Sequence, residues 1–162
     1  MAVTSSRGLM AIWLSLLLAL CLQVMPLPDG WLIWRPEWLG LTLIYWCVST
    51  PQRVGVFHGF VLGLLLDLIE GSPLGQNALM LSLLAYLSLL VYQRMRAYAL
   101  VQQAVLVFVL LGIAQLTEQW LRTIFGPFSI SLAFLLPALI GAVLWPWFFT
   151  LLQAMRRRLN IA

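Results

Sequence analysis

Residues 54–71 read VGVFHGFVLGLLLDLIEG, and the reading of these eighteen positions decides the fold. Thirteen residues, Val54 to Leu66, contain no formal charge and a single histidine, His58. About 30 Å of hydrocarbon needs roughly twenty helical residues at about 1.5 Å each, so the stretch has close to the length of a membrane-spanning helix. Pro51-Gln52-Arg53 precedes it and Ser72-Pro73 follows. The residue before a proline is pushed out of the helical region, which sets the stop. Within the stretch, Gly55, Gly59, Gly63, Asp67 and Gly71 recur at intervals of four, with Gly75 one step beyond. On a helix the first five form a slowly drifting stripe. Glycine costs about 1 kcal/mol against alanine in a helix interior. In lipid it lets a second backbone approach closely and substitutes packing for the missing hydrophobic drive. The stripe is a candidate helix-packing seam, and its partner lies either in the same chain or in another.

The rest of the chain has the same character. Of 162 residues 63% are apolar and 9% charged, against roughly a quarter charged in a soluble domain. Mean hydropathy is +1.00. Five further apolar runs flank the first: residues 9–25, 31–50, 77–93, 98–117 and 128–153. The expected architecture is an all-α polytopic membrane protein with six transmembrane helices in one domain over residues 1–162. The run 31–50 is interrupted by Arg35-Pro36-Glu37, where Pro36 suits a first helical position and Glu37 complements the positive helix end. The run 98–117 has room to continue to Ile124, and the last one carries Pro137 and Pro146, read as kinks.

All nine basic residues are arginines. With the N-terminus in the cytoplasm, Arg7, Arg53, Arg94, Arg96, Arg156, Arg157 and Arg158 fall inside, and Arg35 and Arg122 outside. That asymmetry predicts both ends in the cytoplasm. The arginines sit in short turns between apolar runs, which is a membrane-topology pattern and excludes a nucleic-acid face.

Little in the sequence points to catalysis. Cys21 and Cys47 are placed for opposite leaflets, and two thiols alone make no metal site. His58 has no nearby acid or second ligand in the sequence, so helix packing explains it. The chain has no His-Glu-x-x-His, no Gly-x-Ser-x-Gly and no paired intramembrane aspartates. Asp67 stands apart. A carboxylate within a span costs roughly 2.5–3.5 kcal/mol at mid-membrane and is a functional hypothesis by default. Two readings stay open: a solvated helix end one turn from Gly71, or a buried, paired group with Arg35 and Arg122 as the basic candidates on its side.

Several motifs occur in a fixed order: Met25-Pro26-Leu27-Pro28-Asp29, Arg35-Pro36-Glu37-Trp38, the run from Gly63 through Asp67 and Gly71-Ser72-Pro73-Leu74 to Gly75, and Leu144-Trp145-Pro146-Trp147. Together they resemble the MreD family of rod shape-determining proteins over essentially the whole chain. The resemblance implies a non-enzymatic subunit of the bacterial cell-elongation complex in the inner (cytoplasmic) membrane, without cofactor or metal. It implies MreC as partner, with MreB, RodA and a penicillin-binding protein nearby and membrane lipid around. The implied fold is similar to the substrate-binding component of energy-coupling-factor transporters. Arg35, Pro36, Asp67, Gly71, Gly75, Trp145 and Pro146 carry over as matching positions. A transport component of that type, binding a small molecule or lipid, is the competing expectation.

Overall fold

The computed structural model describes residues 2–25, 37–71, 74–126 and 135–158, which form six α-helices. They are α1 (Ala2–Val24), α2 (Trp38–Ser49), α3 (Val56–Glu70), α4 (Gln76–Ala97), α5 (Leu100–Phe125) and α6 (Leu136–Arg158). The stretch Ser6–Val24 of α1, together with α4, α5 and α6, is long and apolar enough to cross a membrane.

The helices expected to be full crossings at 31–50 and 54–71 are shorter. With 12 and 15 residues, α2 and α3 reach only about 18 and 22 Å. Both are trimmed by their flanks. Glu37 sits at the N-cap of α2, and Gly55 and Gly71 cap the two ends of α3. Residues 26–36, Pro36 among them, lie outside the described residues, as does the start of the expected span at residue 128. Pro137 is no kink, because α6 starts at Leu136 and the proline falls in its first turn, where no N–H is needed. Pro146 lies inside the helix.

The bundle is built around its shortest helix. Every residue of α2 from Leu39 to Ser49 is buried, as expected for a helix that is apolar all round. Helices α1, α4, α5 and α6 pack on it, while α3 packs against α4 and α1. Trp46, Trp145 and Tyr45 are the largest fully buried side chains. The Trp46 indole N–H donates to Ser15 Oγ at 2.8 Å, joining α2 to α1. The outside of the bundle is apolar as well: Leu14, Leu18, Phe57, Leu68, Leu90, Val101, Val105 and Leu151 are exposed. A continuous apolar exterior of this kind has lipid as its solvent.

Successive helices run in opposite directions. Helices α2, α4 and α6 finish at one end, the basal end, and α3 and α5 finish at the other, the apical end. At the basal end the Arg96 guanidinium donates to the carbonyls of Val48 and Ser49, both at 2.9 Å. At the apical end Gln115 Nε2 donates to Glu37 Oε1 at 2.7 Å. Thus α2 carries an anion at its positive end and receives a cation at its negative end, as the helix dipole favours. Open helix termini are costly where water is scarce, and Arg96 satisfies two of the last carbonyls of α2.

Candidate functional site

Helices α3 and α4 form a hairpin held by backbone contact. A Cβ placed on Gly59 would lie 2.6 Å from the Leu81 carbonyl oxygen. At Gly63 it would overlap the Ala78 backbone, 2.5 Å from its nitrogen. No side chain fits at either position without moving α4. The stripe is not one surface, however. At Gly55 a Cβ would meet only Leu89, at an ordinary 3.7 Å, and at Gly71 and Gly75 nothing within 4 Å. Gly55 and Gly71 cap α3 instead of lying within it. Gly71 and Gly75 have φ of 71° and 100°, a left-handed conformation that glycine adopts without strain. Two glycines therefore serve packing and two serve the turn.

The turn gives Asp67 its place. Its side chain lies in the last turn of α3 and is 1% exposed. Oδ2 accepts from the Gly75 N–H at 2.9 Å and the Ala78 N–H at 3.4 Å, and Oδ1 accepts from the Asn77 N–H at 3.0 Å. These donors belong to the N-cap and first turn of α4, which begins at Gln76. Four N–H groups at a helix start have no partner within the helix, and an N-cap side chain ordinarily takes one or two of them. The N-cap of α4 is glycine, which has no side chain, and a carboxylate from the preceding helix does the work. The negative charge also faces the positive end of the α4 dipole. Asn77 Nδ2 adds a bond to Glu70 Oε2 at 3.3 Å. The carboxylate thus meets backbone N–H groups, while Arg122 pairs with Glu118 on its own helix at 2.5 Å. Arg35 lies outside the described residues.

A second polar cluster centres on Trp145. Its indole is fully buried, and the N–H donates to Gln103 Oε1 at 3.2 Å. The amide of Gln103 donates in turn to the carbonyls of Met95 at 2.8 Å and Tyr98 at 3.2 Å. One side chain of α5 thereby joins α6 to the end of α4. The neighbouring Pro146 has no N–H for the Ala142 carbonyl to accept. Gln103 and Gln115 carry no motif in the sequence, and Arg96 reads there as a topology marker alone. The available signal was the placement of amides inside the apolar run of α5, where polar groups need partners.

The remaining candidates take packing positions. His58 Nδ1 accepts the Gly55 N–H at 3.4 Å, and its ring lies 5.0 Å from that of Trp13. Both cysteines are free, Cys21 exposed and Cys47 buried. Among the described residues no three His, Cys, Asp or Glu side chains gather where a metal would bind.

The family model described as rod shape-determining protein MreD matches residues 4–155 of the chain. The rod shape-determining protein MreD of Haemophilus influenzae is 35% identical over 149 residues, covering 89% of this chain and 89% of that one. No solved structure matches. A bundle of apolar helices whose interior polar groups join helix to helix, matched by this family model over nearly its whole length, belongs to the MreD family of rod shape-determining membrane proteins.

Proposed function

We propose that the chain is a non-enzymatic, multi-pass subunit of the bacterial cell-elongation complex. It forms a single domain over residues 1–162 in the inner (cytoplasmic) membrane and supports sidewall peptidoglycan synthesis together with MreC. MreB, RodA and a penicillin-binding protein are the further components in reach. The N-terminus and C-terminus both face the cytoplasm, so the basal end is cytoplasmic. Supporting this orientation, Arg96 and the Arg156–Arg158 run collect at the basal end, and cations collect on the cytoplasmic side of short loops. The likeness to the energy-coupling-factor substrate-binding component enters this proposal as architecture alone.

The observation that carries the reading is the use of the interior polar groups. Asp67, Gln103, Gln115 and Trp145 hydrogen-bond to other helices or their ends. Groups committed in this way hold a rigid shape, which suits a scaffold more than a polar-ligand carrier. Within the reading, Asp67, Gly59, Gly63, Gly71 and Gly75 keep the α3–α4 hairpin in one geometry. Trp145 and Pro146 do the same for the α5–α6 pair, Gly55 remains a candidate of the seam, and Arg35 and Pro36 remain candidates by motif. Depleting the protein in a rod-shaped host is expected to give wide, rounded cells that added nutrients do not restore. Cells that stay rods would overturn this reading, and cells that keep their shape and acquire a nutrient requirement would point to transport instead.

A further inference from the structure

We draw no further inference here: the strongest candidate, the apolar groove between α3 and α4 lined by Val56, Phe57, Phe60, Leu79 and Ser82, lies on the exposed side of the bundle, and nothing in the structure shows what covers it.

Discussion

The α3–α4 and α5–α6 pairs are both antiparallel hairpins, yet they are closed by different means. Between α3 and α4 the contact is backbone on backbone, with Gly59 against Leu81 and Gly63 against Ala78. Between α5 and α6 the neighbours of the glycines are tips of side chains. A Cβ at Gly141 would come 2.8 Å from Leu111 Cδ1, and one at Gly112 would lie 3.8 Å from Leu135 Cδ2. A leucine tip has rotamers to use, whereas a helix backbone has to shift as a body. The first pair is therefore held to one separation and the second is adjustable. Polar contacts follow the same division. Asp67 joins backbone N–H groups at the tight pair, while Trp145 and Gln103 join by side chains at the looser one.

The largest effect expected from this difference is at Gly63. An isoleucine there overfills a contact that cannot yield, and overpacking costs about 1–3 kcal/mol, occasionally more. Gly63→Ile is expected to reach the membrane at strongly reduced levels and to melt far below the wild type in detergent. Gly141→Ala is expected to melt within a few degrees of it. Equal losses at the two positions would break the contrast between backbone and side-chain closure.

Asp67 comes next. Replacing it by leucine strips the acceptor from the Gly75, Asn77 and Ala78 N–H groups, and a buried donor left unpaired costs about 1–3 kcal/mol. Asp67→Asn retains one acceptor oxygen and should lose less. The measurement is Tm, with amide hydrogen exchange at Asn77 and Ala78 as the local readout. Unchanged exchange there in Asp67→Leu would refute the role of the carboxylate as the cap of α4.

A smaller loss is expected at the looser pair. Trp145→Phe removes one indole donor, and a single hydrogen bond contributes about 1 kcal/mol. Gln103 keeps its bonds to Met95 and Tyr98, so the end of α4 stays covered. Thermal melting should show a shift clearly below that of Asp67→Leu. A larger shift would move the structural weight of the fold from α3–α4 to α5–α6.

These two regions differed as much in legibility as in packing. The Gly59–Gly63 ridge was visible because spacing by four is a local pattern that any helix converts into a face. The helix end at Gly71 was marked by glycine and proline in the adjacent sequence, whereas α4 runs a turn past the expected end at residue 93, through Arg94 and Arg96 to Ala97. Asp67 was only half readable. Whether its carboxylate meets water or α4 depends on the turn geometry that Gly71 and Gly75 set together, which residue types do not state. The clasps from Gln115 to Glu37 and from Arg96 to Val48 join residues 78 and 48 positions apart. No local pattern encodes such a choice of partner. Arg96 was legible as a topology marker and not as a cap for another helix. The central burial of α2 was missed for a related reason: an apolar run reads alike whether lipid or protein surrounds it.

The smallest effect expected is at Gly55, and it sharpens the comparison within the stripe itself. Gly55 follows the same four-residue spacing as Gly59, but a Cβ there meets only the tip of Leu89 at 3.7 Å. Its φ of −152° is extended backbone open to any residue, and it occupies the N-cap of α3. Serine at an N-cap offers its oxygen to the first-turn N–H groups and exceeds glycine by a few tenths of a kcal/mol. Gly55→Ser should therefore melt at or slightly above the wild-type temperature, while Gly59→Ala, one turn further on, presses on the Leu81 carbonyl and melts well below it. Both variants are then assayed for cell shape in a strain depleted of the native protein. Gly55→Ser is expected to support rods. A variant that is as stable as the wild type but leaves cells round would show that Gly55 meets another protein, so that the stripe continues beyond the chain as a docking surface. A loss of stability equal to that of Gly59→Ala would mean that the α3–α4 contact extends a full turn further than the present geometry places it.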